Sequence, residues 1–210
     1  MKDWKSFREL FEKLNIECRY LVLRNYRDIK DGVKEEGPHS DIDFLCDNRD
    51  FFINICGSEP RKSVRDKIHH KIAVGGTVIP VDIRYVGDGY YDKVWETDML
   101  DKRILFEDRM YIPDPVNEKY SLIYHVLIQK KNVSPDYAVI LEKMSGRNAF
   151  DEKSELEDLI LFMRRQGYRF PFPVYPGGIF NRKKCPGDMI SYDPIRMIRR
   201  LIYGIAKKVK

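Results

Sequence analysis

The stretch Ser40-Asp41-Ile42-Asp43-Phe44 alternates acidic and apolar residues, and this alternation predicts a β-strand that continues to Cys46. Side chains of a strand alternate between its two faces, so Asp41 and Asp43 share one face and the apolar residues share the other. The apolar face would anchor the strand in a core. Glycine and proline within residues 35–39 predict a loop just before it. The acidic pair is therefore expected at the beginning of a buried strand.

The two carboxylates of this pair would repel each other, and a bound divalent cation relieves such repulsion. Mg²⁺ prefers carboxylate oxygens and water, which makes Asp41 and Asp43 candidate metal ligands. A third carboxylate, Asp82, lies among apolar residues in the strand-like run 81–84, where an unpaired charge is costly to bury. A metal shared with the acidic pair would explain its position. Arg84, on the same face under strict alternation, offers a competing explanation, a simple ion pair.

Periodicity along the chain predicts an α/β (α+β) fold, with a small mixed β-sheet and flanking helices, followed by a helical C-terminal lobe. We expect a catalytic domain over residues 1–113 and a helical lobe over 114–210. Strands are expected at 19–23, 41–46, 67–74 and 77–85, the last two forming a hairpin through Gly75-Gly76, and 104–112 is expected to be extended. Helices are expected at 4–14 with Asp3 as the cap, 49–55, 118–131, 137–144, 151–165 and 194–210. Residues 27–38, 86–91 and 170–178 are expected to form loops.

Composition restricts the partners and the compartment. The net charge of +5 permits an anionic partner, but the basic residues are spread along the chain and match no nucleic-acid-binding motif, so nucleic acid is not expected as a partner. The four cysteines are scattered without a CxxC pair, which favours a reducing compartment over a disulfide framework. Because residues 1–5 are not followed by an apolar segment, and no run of eighteen apolar residues occurs, we expect a cytoplasmic protein.

The Asp-x-Asp strand, preceded by a glycine-containing loop and followed by a third aspartate on a later strand, resembles the nucleotidyltransferase superfamily typified by DNA polymerase β. The resemblance covers roughly residues 19–86. It implies that Asp41 and Asp43 match the acidic pair of the family and that Asp82 matches its third carboxylate. In that family the three carboxylates hold two Mg²⁺ ions, which bind the triphosphate of a nucleotide and activate an attacking oxygen. The resemblance therefore implies catalytic and metal-binding roles for these aspartates, with Mg²⁺ or Mn²⁺ as the cofactor.

One segment departs from the family pattern. The family has a Gly-Ser pair just after the first strand, where backbone amides meet the phosphates, whereas this chain reads Leu23-Arg24-Asn25-Tyr26. In place of that pair, Arg24 would bind phosphate by charge and Asn25 would donate a hydrogen bond. Ser40, beside the acidic pair, completes the predicted nucleotide-binding set.

These observations predict a metal-dependent nucleotidyltransferase-like enzyme, with a nucleotide donor and a small molecule or glycan precursor as acceptor. Two alternatives stay open. A glycosyltransferase would use Asp-x-Asp to hold a metal and the diphosphate of a nucleotide-sugar, but there an apolar strand typically precedes the motif, and here a polar loop does. A catalytically silent module that binds a nucleotide or another partner is favoured by the missing Gly-Ser pair. Metal-dependent turnover of a nucleoside triphosphate or a nucleotide-sugar would separate the three.

The C-terminal segment, residues 194–210, predicts a basic amphipathic helix. Its apolar residues recur at helical spacing, and no acidic residue follows Asp193. Such a helix can lie on an anionic membrane surface, which would place the protein peripherally at a membrane. Docking on the protein's own core requires the same apolar stripe, and we expect this second arrangement.

Overall fold

The computed structural model describes residues 1–30, 33–34, 41–61, 68–172, 179–195 and 197–198. The chain divides into two compact units, of which the first comprises Met1–Val86 and Glu96–Asp114 and the second Gly87–Trp95 and Pro115–Lys210. The predicted mixed α/β fold is confirmed. Residues 87–95 group with the second unit. The assignment of the two units to a catalytic domain and a helical lobe stays a prediction.

The strands and helices of the described residues are numbered here in chain order. The strands are β1 (Asp3–Trp4), β2 (Tyr20–Arg24), β3 (Ile29–Lys30), β4 (Val33–Lys34), β5 (Ile42–Cys46), β6 (Glu59–Pro60), β7 (His69–Val74), β8 (Thr77–Tyr85), β9 (Ile104–Phe106), β10 (Met110–Ile112), β11 (Phe170–Phe172) and β12 (Ile190–Tyr192). The helices are α1 (Phe7–Glu17), α2 (Arg49–Cys56), α3 (Lys93–Asp101), α4 (Pro115–Ile128), α5 (Pro135–Ser145) and α6 (Glu152–Gln166).

The main sheet of the first unit has the strand order β1-β7-β8-β5-β2, and β6 also pairs with β7. β7 and β8 form the predicted hairpin, in which Gly75 and Gly76 adopt positive φ angles of 58° and 77°. Glycine populates this region at no steric cost, which explains the tight two-residue connection. β5 pairs with β8 in parallel and with β2 in antiparallel orientation. The Asp-x-Asp strand therefore lies inside the sheet, between β8 and β2.

One face of this sheet is buried in an aromatic-rich core. Ile42, Phe44 and Cys46 belong to that core, which confirms the apolar face predicted from the alternation in β5. The rings of Tyr20 and Phe52 lie with their centroids 6.1 and 5.1 Å from that of Phe44. Burial of these rings fixes β5 in register, because a slip by one residue would turn the aspartates into the core.

The beginning of the first helix differs from the prediction. Asp3 lies in β1 rather than at a cap, and the Oγ of Ser6 accepts a hydrogen bond of 3.2 Å from the backbone N–H of Glu9. Ser6 therefore caps α1, as serine commonly does. Asp3 and Trp4 pair with β7 instead, and this pairing takes them out of the helix even though Trp4 fits its period.

The second unit is built around packed aromatic rings on α4 and α6. The ring of Trp95 lies 5.7 Å from Tyr124 and 5.5 Å from Phe162, and its Nε1 donates a hydrogen bond of 2.8 Å to Oδ1 of Asn117. Helices α4, α5 and α6 confirm the three predicted there. Residues 170–172, which were expected to form a loop, instead pair with β12. Pairing of segments so far apart in the chain leaves no local signal in the sequence.

Two further segments bear on the predictions. Part of the expected loop 27–38 forms a short ladder between β3 and β4, after a 3₁₀ turn at Tyr26–Asp28. The predicted C-terminal helix falls mostly outside the described residues, and of it only positions 194, 195, 197 and 198 are described, as helical. Among the helices that the structure describes, none combines the length and the apolar character needed to cross a bilayer.

Candidate metal centre

Four polar residues form a row across four neighbouring strands of the main sheet. The strand registers place Arg24 of β2 opposite Asp43 of β5, Asp43 opposite Asp82 of β8, and Asp82 opposite His69 of β7. Directly opposed residues on one face of a sheet are close enough for their side chains to interact. The row therefore puts a basic residue on each side of two adjacent carboxylates.

Arg24 owes its place in this row to an irregularity of β2. The pairing of β2 with β5 shifts between Val22 and Arg24, so that Val22 lies opposite Phe44 and Arg24 opposite Asp43. Regular antiparallel pairing would have put Leu23 opposite Asp43. An extra residue in one strand is a β-bulge, a feature that re-aims side chains and is frequent beside active sites.

The three predicted aspartates come together at one end of β5. Asp41 immediately precedes the strand, and Asp41, Asp43 and Asp82 each offer a carboxylate oxygen that lies within 4.8 Å of the other two. Such a set of hard oxygen ligands is chemically suited to Mg²⁺ or Mn²⁺. Exposed acidic clusters also occur without any ion, so burial and hydrogen bonding decide how well this set fits a metal.

The surroundings of Asp82 favour a bound cation. Its side chain is only 13% exposed, and its Oδ1 is buried without a hydrogen-bond partner in the described part of the chain. Its Oδ2 lies 3.9 Å from Nε2 of His69. Burying a carboxylate oxygen without a donor is costly, and a divalent cation would satisfy it. The residues present therefore fit a metal ion.

The electrostatic environment of Asp82 also fits a bound cation. Burial raises the pKa of the Asp82 carboxyl above its ordinary value, and the adjacent charge of Asp43 raises it further. The charges of Arg84 and His69 oppose this rise in pKa. Arg84, the alternative partner expected from the sequence, therefore does favour the ionised form of Asp82. The charges of Asp43 and Asp41 act on the same carboxyl, so Asp82 interacts with the other aspartates as well as with Arg84.

The predicted nucleotide-binding residues lie in different situations. Arg24 is buried and paired with Asp43, with Nη2 at 2.9 Å and Nε at 3.2 Å from Oδ2. Asn25 follows the strand with a φ of 60° and begins the 3₁₀ turn. This is the left-handed conformation that glycine adopts most easily, and asparagine is one of the few other residues that tolerate it. Ser40 lies outside the described residues. The predicted roles of all three in nucleotide binding stay predictions.

Sequence reasoning missed the place of His69 in the row. The signal was present, because counting back from the two-residue turn at Gly75-Gly76 pairs His69 with Asp82. The neighbouring His70 has a separate environment, since it is buried and its Nδ1 lies 3.1 Å from Oγ of Ser58. The ion pair of Arg24 with Asp43 was missed for a different reason, because the bulge that creates it has no sequence signal of its own.

Comparison with known proteins adds no assignment. No protein-family model matches the chain, and no curated protein matches it significantly.

Proposed function

We propose that this protein is a divalent-metal-dependent nucleotidyltransferase-like enzyme that acts on a small molecule or glycan precursor. The observation that carries the proposal is the convergence of Asp41, Asp43 and Asp82 within 4.8 Å, on a sheet whose opposite face is buried. The Oδ1 of Asp82 is buried with no hydrogen-bond partner among the described residues, and this supports the proposal because a metal ion would supply one.

In this proposal the three carboxylates hold Mg²⁺ or Mn²⁺. The bound metal supplies charge neutralisation for the polyphosphate of the donor. The sheet fixes the ligands, because Asp43 and Asp82 are paired neighbours in β5 and β8 and Asp41 precedes β5. Carboxylates fixed in this way would hold the metal, and through it the donor, in position for in-line attack. Phosphoryl transfer depends mainly on such positioning and on charge stabilisation.

The reaction proposed is the transfer of a nucleoside monophosphate group. An acceptor oxygen forms a bond to the α-phosphorus of a nucleoside triphosphate, the bond between that phosphorus and the bridging oxygen of the β-phosphate breaks, and pyrophosphate leaves. The acceptor gives up its proton to solvent if it is a hydroxyl group. A small acceptor is favoured over a polynucleotide because basic residues are distributed along the whole sequence rather than in one dense patch.

The decisive experiment incubates the full chain with each nucleoside triphosphate and a panel of sugar phosphates, with Mg²⁺, with Mn²⁺ or with EDTA, and measures pyrophosphate. We expect metal-dependent pyrophosphate release with at least one pair of substrates. Asp41→Asn should reduce it by at least about 100-fold, because loss of a group that stabilises the transition state typically costs this much or more. Asp47→Asn, just beyond the end of β5, is the matched control and should leave it unchanged.

Other products would point to the alternatives. In a parallel incubation with nucleotide-sugars, release of a nucleoside diphosphate with the same dependence on Asp41 would establish a glycosyltransferase instead. Nucleotide binding without turnover of either donor would establish a silent module. Equal turnover by the wild type and Asp41→Asn would show that the acidic cluster is not the reacting site.

A further inference from the structure

We propose that the Arg24 guanidinium takes the place of one of two divalent cations, so that this centre binds a single metal ion. The inference rests on the proposed function, because it concerns the same acidic cluster. Metal-dependent phosphoryl transfer commonly uses two ions about 3.5–4 Å apart, one for the attacking and one for the leaving oxygen. The arrangement of charges around Asp43 departs from that requirement.

The first observation is the use of the Asp43 oxygens. A carboxylate that bridges two cations generally gives one oxygen to each. Here the two contacts between Arg24 and Asp43 both end on Oδ2 of Asp43, so that Oδ1 receives no contact from Arg24 and can bind a metal ion. Asp43 is thus set to bridge one guanidinium and one metal ion.

The second observation is the charge balance. Asp41, Asp43 and Asp82 together carry three negative charges when ionised, and the buried pair with Arg24 offsets one of them. Arg84 acts in the same direction, because its charge also offsets negative charge at Asp82. The centre therefore already contains positive charge of the kind that a second divalent cation would supply.

The third observation is the way in which Arg24 is held. Its side chain is 7% exposed, and the β-bulge sets it opposite Asp43 within the sheet. A buried guanidinium cannot lose its charge in a protein, and breaking a buried ion pair is costly. Arginine also presents planar N–H donors that match phosphate oxygens. It can therefore provide a fixed positive charge of the kind that a second metal ion would otherwise bring.

The test counts Mn²⁺ ions in the full chain by electron paramagnetic resonance, with Mn²⁺ alone and with inorganic pyrophosphate added. We expect one bound Mn²⁺ per chain under both conditions and no magnetic coupling between ions. Arg24→Lys, which keeps the charge, should also bind one. Arg24→Met should bind a second Mn²⁺, visible as a coupled pair. Arg19→Met is the matched control, because it removes the ion pair of Arg19 with Asp101 and should leave one Mn²⁺.

The outcomes separate the inference from the function on which it rests. Two coupled Mn²⁺ ions in the wild type would overturn the inference and leave the proposed enzyme intact. No bound Mn²⁺ in the wild type under either condition would overturn the metal-dependent function itself. A single ion in a folded Arg24→Met variant would show that Arg24 does not exclude the second metal. If that variant does not fold, the count in the wild type and in Arg24→Lys decides the question.

Discussion

Asp41 and Asp43 look equivalent in sequence, but their replacement by asparagine should affect stability very differently. The Asp43 side chain is 10% exposed and lies 2.9 Å from Nη2 of Arg24. At that distance the gross attraction is about 6 kcal/mol for an effective dielectric constant of about 20. Breaking a buried ion pair costs about 3–5 kcal/mol in practice. Asparagine can still accept a hydrogen bond from Arg24, and removing the Asp43 charge relieves its repulsion with Asp82, so we expect Asp43→Asn to lose about 3 kcal/mol, at the lower end of this range.

Asp41→Asn should change the free energy of unfolding by less than about 1 kcal/mol, the usual size for a partly exposed charge. Removing its charge also relieves repulsion with Asp82, which works against any loss. Urea unfolding at pH 7 in EDTA, followed by circular dichroism, measures both variants under metal-free conditions. With a slope of about 2 kcal/mol per molar urea, a loss of about 3 kcal/mol lowers the midpoint by about 1.5 M.

The double variant Arg24→Met/Asp43→Leu supplies the control. Hydrophobic replacement of a whole buried pair is often neutral, so it should recover most of the stability that Asp43→Asn loses. Equal midpoints for Asp41→Asn and Asp43→Asn would refute the reasoning. So would a double variant whose loss equals the sum of the losses measured for Arg24→Met and Asp43→Leu separately, because it would show that the two side chains are not coupled.

Two further predictions concern titration and thiol chemistry. The pKa of Asp82 is raised in the folded protein, so its contribution to stability is complete below the unfolded pKa of about 3.9 and is lost as the pH rises through the folded value. In EDTA the wild type should therefore lose more stability than Asp82→Asn between pH 4 and pH 7. Parallel urea midpoints of the two proteins across this range would show that the pKa of Asp82 is not raised. Burial raises the pKa of the Cys18 and Cys185 thiols to about 12, so both stay protonated and unreactive at pH 8. Because all four cysteines are buried, they should react with a disulfide reagent such as dithiobis(nitrobenzoate) only after unfolding. Rapid reaction of Cys18 or Cys185 in the native protein would show that the thiol is not buried.

The sequence alone determined much of the sheet. Alternation in β5 predicted which residues enter the core, and the two-glycine turn predicted the hairpin of β7 and β8. These features are local, because strand period and turn chemistry are set by residues close together in the chain. The same local rules placed Asp41 and Asp43 on one face and Asp82 on the polar face of β8.

Tertiary structure decided what surrounds those carboxylates. Parallel pairing of β5 with β8 sets Asp43 beside Asp82, and no local pattern specifies which strands become neighbours. The bulge in β2 brings Arg24 rather than Leu23 to Asp43. A sequence shows that Arg24 is basic, but the pairing partner, the burial and hence the strength of its charge depend on contacts with residues distant in the chain. For that reason the ligand types could be predicted from the sequence, whereas the pairing and burial of those ligands could be determined only from the folded chain.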